Sequence, residues 1–258
     1  MKPFFLEVCV DSLESALAAE AGGADRLELC ANLVIGGTTP GSRLFEQIKE
    51  KTNLPVRVLI RPRFGDFCYT SAEIEQMEED VRHFSKTGAD GIVIGCLLPD
   101  GELDQAGMKR LIGAAAHCGV TLHRAFDVCR NPERALYQAE SLGVDTILTS
   151  GQEGSAEEGI NLINRLRSMS RKVEIMAGGG ICSETVTRML PAFFNNPEIL
   201  DRPVLFHMSG KKVADSPMQY RNYRVSMGMP GISEFERWKT SEREVRKVRE
   251  ILEQWQKN

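Results

Sequence analysis

The sequence lacks the features that mark membrane, disulfide-rich and nucleic-acid-binding proteins. No apolar run approaches the roughly 20 residues of a membrane helix, and Glu7 and Asp11 interrupt the apolar start, which therefore does not resemble a signal peptide. The seven cysteines form no CxxC pair, which indicates reduced thiols in the cytoplasm. A net charge of −4 argues against a nucleic-acid partner.

Two common kinds of site also lack their motifs. The four histidines form no HxxH or HxH pair, which argues against a zinc site. No GxGxxG or Walker loop follows the first apolar run, which weakens the case for an open doubly wound sheet around a nucleotide. We therefore expect no organic cofactor.

Short apolar runs that alternate with longer amphipathic segments are what the sequence does contain. The runs predict buried parallel strands at 4–10, 26–30, 56–61, 91–96, 120–126, 145–149, 173–177 and 204–208. Helical spacing predicts helices at 12–22, 71–87, 104–118, 132–142, 155–169, 183–194 and 241–256. A repeated Gly-x-Asp precedes strands two, four and six at 23–25, 88–90 and 143–145.

This order predicts a TIM-type (β/α)8 barrel, because eight parallel strands favour closure over an open sheet. Residues 1–258 would form one domain, with an irregular excursion at 209–233 across the barrel mouth and a C-terminal helix at 241–256. Sites in such barrels lie at the carboxyl ends of the strands.

Several polar residues occupy those predicted strand ends. Because side chains alternate along a strand, Glu7, Glu28, Arg61 and His123 should meet inside the barrel, with Asp127 on the face of His123. One interpretation is a structural ion-pair layer. The other is a pocket for a small anionic ligand, with Arg61 and Arg63 binding the anion and His123 as acid or base.

The last two strands run into glycine-rich segments typical of a phosphate site in a barrel. GGGI at 178–181 and HMSG at 207–210 would offer backbone N–H groups near Gly179, Gly180 and Gly210. A plain glycine-rich turn is the alternative. We predict an anion-binding set of Arg63, Ser150, Gly179, Gly180, His207 and Gly210.

Cys9 and Cys30 fall at the ends of adjacent predicted strands. Two thiolates spaced by one strand separation suit Cu(I), which accepts two or three sulfur ligands. The alternative is that each is a small buried apolar side chain, which is what a free cysteine usually is.

Taken together, several ordered motifs resemble those of the CutC family. They are LEVCVDS (6–12), GGADRLELC (22–30), GGTTPG (36–41), IRPR (60–63), HRAFD (123–127), LTSG (148–151) and AGGGI (177–181). The resemblance implies a cytoplasmic TIM-type barrel, usually a homo-oligomer such as a dimer or tetramer. It also implies a role in copper handling, with Cu(I) on Cys9 and Cys30 as metal ligands.

Two functional hypotheses follow. The first is a copper homeostasis protein that holds Cu(I) at the barrel mouth. The second is an enzyme acting on a small anionic or phosphorylated metabolite, with Glu7, Glu28 and His123 as acid–base candidates and the arginines neutralising charge. A third option is a scaffold acting through oligomer contacts of the last helix and the Met-rich loop at 225–230.

Overall fold

The computed structural model describes residues 4–195, 202–225, 227–228 and 231–256. Eight parallel strands close into a barrel, with β1 paired to both β2 and β8. The strands are β1 Phe4–Val10, β2 Arg26–Leu29, β3 Val56–Leu59, β4 Gly91–Ile94, β5 Gly119–Leu122, β6 Thr146–Thr149, β7 Glu174–Gly178 and β8 Val204–Met208. The predicted TIM-type barrel is confirmed.

In the part of the chain that the structure describes, seven α-helices separate the barrel strands, and one more follows them. They are α1 Leu13–Ala21, α2 Ser42–Lys51, α3 Ser71–Lys86, α4 Gln105–Ala114, α5 Pro132–Leu142, α6 Ile160–Met169, α7 Ser183–Phe193 and α8 Glu242–Trp255. Helix α2 was not predicted, because it is rich in charge and buries only Phe45 and Ile48. None of the described helices is both long and apolar enough to cross a bilayer.

The Gly-x-Asp repeat has a structural role that its spacing alone did not show. Each glycine has a positive φ just past a helix end, as a left-handed turn requires. Each aspartate then accepts a hydrogen bond from a backbone N–H of the preceding strand. The pairs are Asp25 with Leu6 at 2.8 Å, Asp90 with Val56 at 2.8 Å and Asp145 with Val120 at 2.6 Å. The repeat thus ties neighbouring strands at the amino ends of β2, β4 and β6.

Strand β5 is shorter than predicted, and this moves a predicted site residue. The strand ends at Leu122, and residues 124–128 form a 3-10 helix whose N-cap is His123. The expected alternation between His123 and Asp127 is therefore wrong, because it assumed an extended chain as far as 126. Strand β3 likewise ends at Leu59, two residues before Arg61.

The excursion after β8 is partly regular. Within it, β9 (Lys211–Asp215) pairs antiparallel with β10 (Glu236–Thr240), and this hairpin leads into α8. Residues 226, 229 and 230 of the predicted Met-rich loop lie outside the described residues.

Candidate active site at the barrel mouth

A pocket of about 940 Å³ opens at the carboxyl ends of the strands. Its inner wall comes from Cys9 in β1, Glu28 in β2, and Arg61 and His123 just beyond the ends of β3 and β5. The loops after β7 and β8 and the first turns of α8 form the opposite wall. The structure therefore brings together residues that are far apart in the chain, at the end of the barrel where such sites occur.

Glu7 lies beneath this pocket and does not line it. It is fully buried, and its carboxylate accepts hydrogen bonds from Arg26 Nε at 2.5 Å and His207 Nδ1 at 2.8 Å. Burial opposes ionisation of Glu7, but Arg26 and His207 outweigh it and lower its pKa to about 2. Glu7 is thus an ionised anchor for two cations and not a proton donor at neutral pH.

His207 is the link between this buried ion pair and the pocket. Burial opposes a charged ring, but Cys9, Glu28 and Glu7 together raise the pKa of His207 well above its ordinary value. The protonated ring therefore donates from Nδ1 to Glu7, and its other face is part of the pocket lining. His207 belongs to the predicted anion-binding set, and a protonated ring has the charge for that role.

Glu28 lines the pocket with an unpaired carboxylate oxygen. Its Oε2 is buried, has no hydrogen-bond partner among the described residues and lies 3.9 Å from His207 Nδ1. Burial raises the pKa of Glu28 to about 7, opposed by His207 and aided by the nearby charge of Glu7. A carboxyl group in this state both gives up and accepts a proton near neutral pH.

Arg61 is held by backbone carbonyls and not by a carboxylate. Nη1 donates to the carbonyls of Gly37 at 3.0 Å and, more weakly, of Ile35 and Gly36, and Nη2 donates to Gly65 at 2.8 Å. Its buried Nε has no partner among the described residues. Carbonyls fix the guanidinium without cancelling its charge, so the charge remains available to an anion.

His123 is locked in one neutral tautomer. Its Nδ1 accepts the N–H of Ala125 at 3.1 Å, so the ring proton is on Nε2, which is buried and has no partner among the described residues. Burial and the nearby charge of Arg61 lower the pKa of His123 to about 3. The ring is therefore a hydrogen-bond donor at neutral pH, a state that does not favour the predicted role of His123 as an acid or base.

The two cysteines both line the pocket but are not directly opposite each other. Cys9 is paired in register with Glu28, and Cys30 comes two residues after Glu28, just past the end of β2, where its thiol donates to the carbonyl of Val10 at 3.6 Å. They are diagonal neighbours. Burial and the charge of Cys9 raise the pKa of Cys30 well above its ordinary value. Cu(I) would therefore displace a proton from that thiol.

Three other predicted site residues lie outside the pocket lining, each held by its own partners. Arg63 pairs with Glu73 at 2.6 Å and Asp66 at 3.0 Å on the outer side of its loop. Asp127 accepts from Thr149 at 2.5 Å and from the N–H of Ser150 at 3.0 Å, and its contacts join the HRAFD and LTSG segments. The remaining one, Ser150, is completely buried.

The predicted glycines do line the pocket, together with cations that the sequence analysis missed. Gly179, Gly180 and Gly210 form its far wall. The cations are Arg124, Lys211, Lys212, Arg243 and Lys247. Arg243 and Lys247 could not be found from the pattern at strand ends, because they lie in α8, which begins at residue 242 and follows the last barrel strand.

One further cluster has the donor atoms for a cation. Ligand atoms of Glu7, Glu28 and His207 lie within 4.8 Å of one another and are all buried. Glu7 is already bonded to both Arg26 and His207, so a cation would first have to break the bond to His207. The cluster is better described as an ion pair that supports the pocket floor.

Comparison with known proteins identifies the family. The profile described as "CutC family" matches residues 4–193. The chain belongs to the CutC family. A family protein CutC of Bacteroides thetaiotaomicron is 42% identical over 240 residues, covering 92% of this chain and 93% of the relative. The human "Copper homeostasis protein cutC homolog" is 43% identical over 226 residues, covering 87% of this chain and 80% of the relative.

A solved CutC structure agrees with the fold. The crystal structure of a CutC protein from Streptococcus agalactiae superposes with a TM-score of 0.73 at 27% identity, covering 80% of this chain and 98% of that one. In the present chain the motifs that carried the resemblance surround the pocket. The GGTTPG loop holds Arg61, since Thr39 accepts the N–H of Arg61 at 2.9 Å and Gly37 binds its guanidinium.

Proposed function

We propose that the barrel mouth binds a small anionic metabolite and exchanges a proton with it. One observation carries this proposal. Of the seven buried side-chain polar atoms that have no hydrogen-bond partner among the described residues, three belong to residues that line this pocket: Glu28 Oε2, Arg61 Nε and His123 Nε2. A buried polar group without a partner is costly, so three in one cavity indicate a ligand that completes their hydrogen bonds.

The chemistry of the three atoms defines the ligand. Arg61 Nε and His123 Nε2 are donors, and the charge of Arg61 is not neutralised by a carboxylate, so this side of the pocket suits a carboxylate or a carbonyl oxygen that gains negative charge. Glu28 supplies an acceptor and a transferable proton.

The strands of the described barrel place no lysine in the pocket. The lining lysines, Lys211, Lys212 and Lys247, lie at the rim in β9 and α8. A Schiff-base mechanism needs a desolvated lysine amine beside the reacting carbon. Proton transfer by Glu28, with Arg61 and His123 stabilising the developing charge, is therefore the chemistry that these residues support.

Calorimetric titration with glycolate, pyruvate and malonate tests the binding. We expect at least one anion to bind, with at least tenfold weaker binding in Arg61→Lys and His123→Asn. Arg63→Lys is the matched control, because Arg63 lies in the same IRPR motif but bonds to Glu73 and Asp66 outside the pocket. Equal affinity in all variants, or no binding of any anion, would contradict the proposal.

Cu(I) binding is the second candidate, favoured by Cys9 and Cys30 lining one pocket and by the copper homeostasis role in the human relative's name. Two thiolates of diagonal neighbours suit a soft ion of low coordination number. An anaerobic Cu(I) titration against a chromophoric competitor should show one tight site that the Cys9→Ser/Cys30→Ser variant loses.

Cys182→Ser is the control for this titration, since Cys182 also lines the pocket but follows β7 and not β1 or β2. If Cys182→Ser also loses the tight Cu(I) site, or if the Cys9→Ser/Cys30→Ser variant keeps it, the assignment of Cu(I) to Cys9 and Cys30 would be contradicted.

A further inference from the structure

The wall of the pocket opposite Arg61 has a second set of unused donors. None of the hydrogen bonds among the described residues uses the successive backbone N–H groups of Gly179, Gly180 and Ile181. Gly179 and Gly180 have φ angles of +102° and +75°, a conformation that side chains other than glycine rarely adopt. A Cβ on Gly179 would also lie 3.4 Å from the guanidinium carbon of Arg124. The segment thus brings bare backbone close to a cation.

Helix α8 adds positive charge to the same wall. Arg243 and Lys247 are four residues apart on one face of α8, line the pocket and form no ion pair with the described residues. Glu244, the lining carboxylate between them, is already bonded to the N–H of Ser183 at 2.8 Å. We call Gly179, Gly180, Ile181, Arg243 and Lys247 the β7–β8 rim.

We propose that the β7–β8 rim binds the phosphate group of the ligand, so that the metabolite is a small phosphate ester whose other end bears the carboxylate or carbonyl held by Arg61 and His123. Successive backbone N–H groups with flanking cations match a tetrahedral dianion. A carboxylate fills only one end of a pocket of about 940 Å³ and leaves the rim donors unused. This inference rests on the proposed function, because it assumes that the opposite end binds at Arg61.

The test compares the calorimetric affinities of 2-phosphoglycolate, glycolate and inorganic phosphate for the full chain. We expect 2-phosphoglycolate to bind at least tenfold more tightly than glycolate, and inorganic phosphate to compete with it. Lys247→Gln should reduce that advantage at least threefold. Arg246→Gln is the matched control, since Arg246 is on the same helix but bonds to Ala21 and Glu242 outside the pocket.

A second variant perturbs the backbone donors without removing charge. Gly180→Ala places a methyl group at a φ of +75° and 3.3 Å from the Cβ of Ser155, so it should reduce the phosphate advantage while glycolate affinity is unchanged.

The outcomes separate the two proposals. Equal affinity for 2-phosphoglycolate and glycolate, with glycolate still dependent on Arg61, would overturn the phosphate inference and leave the proposed function intact. A phosphate advantage that survives both Lys247→Gln and Gly180→Ala would also overturn it, because the phosphate would then bind elsewhere. Failure of 2-phosphoglycolate, glycolate, pyruvate and malonate alike to bind would overturn both proposals.

Discussion

The neutral state of buried His123 predicts a measurable dependence of stability on pH. In the folded protein the pKa of this ring is lowered to about 3, and in the unfolded chain it returns to about 6.5. Between these values the unfolded state binds one more proton than the native state. Stability contributed by the neutral ring is therefore complete above pH 6.5 and is lost as the pH falls toward 3.

The loss of stability can be calculated because the unfolded state takes up one more proton than the folded state. Each pH unit within that window costs about 1.4 kcal/mol, so acidification from pH 6 to pH 4.5 should cost about 2 kcal/mol through His123 alone. This interval ends well above the folded-state pKa, and the figure is therefore insensitive to its exact value.

His123→Asn isolates this contribution. Asparagine does not titrate, and its side-chain oxygen can replace Nδ1 as the cap acceptor for the N–H of Ala125. Urea unfolding at pH 4.5, 5 and 6 should show a loss of stability in the wild type that is about 2 kcal/mol larger than in the variant. The exposed His117 provides the control through His117→Asn, which should leave the wild-type slope unchanged. If the unfolding free energies of the wild type and His123→Asn change equally with pH, a buried neutral ring at His123 would be refuted.

Three further substitutions probe the packing around the pocket, each measured by urea unfolding at neutral pH. Gly95→Ala would place its Cβ 2.6 Å from two ring atoms of His123 and should cost about 1–3 kcal/mol; an unchanged midpoint would show that the ring moves freely. Glu7→Gln leaves buried Arg26 without its carboxylate and should cost about 3–5 kcal/mol. The unfolding free energy of Glu28→Gln should lie within about 1 kcal/mol of the wild-type value or above it, because Oε2 accepts no hydrogen bond among the described residues and lies 3.9 Å from His207 Nδ1; a loss as large as that of Glu7→Gln would show a missed hydrogen bond.

Much of the barrel was predictable because its signals are local. A buried parallel strand needs a continuous apolar run, and a left-handed turn after a helix favours glycine, whichever residues come later in the chain. Strand lengths were less predictable. The extension of β5 to residue 126 failed because the side chain of His123 caps a 3-10 helix, which an apolar pattern does not reveal.

In the candidate site, too, residue positions were predictable from sequence, but the partners of each side chain were not. Because they stand at or just beyond strand ends, Glu28, Arg61 and His123 could be selected from sequence. Arg63 shares the motif of Arg61 but has an acidic partner at each side, so it turns away from the pocket. Strand position alone does not distinguish an arginine held by carbonyls from one held by carboxylates.

The sequence by itself determined the barrel, its direction and the identity of the polar residues at its carboxyl end, since these depend on periodicity and on neighbours within a few residues. Only the tertiary structure decided which of those polar atoms remain unpaired and which cations face them. The partners of a buried group come from distant parts of the chain, as when Glu7 bonds to His207 or α8 brings Lys247 to the loop after β7. Whether a buried polar group finds all its hydrogen-bond partners is decided by the whole packed barrel, and in this protein Glu28, Arg61 and His123, which each keep one buried atom without a hydrogen bond among the described residues, all line one pocket.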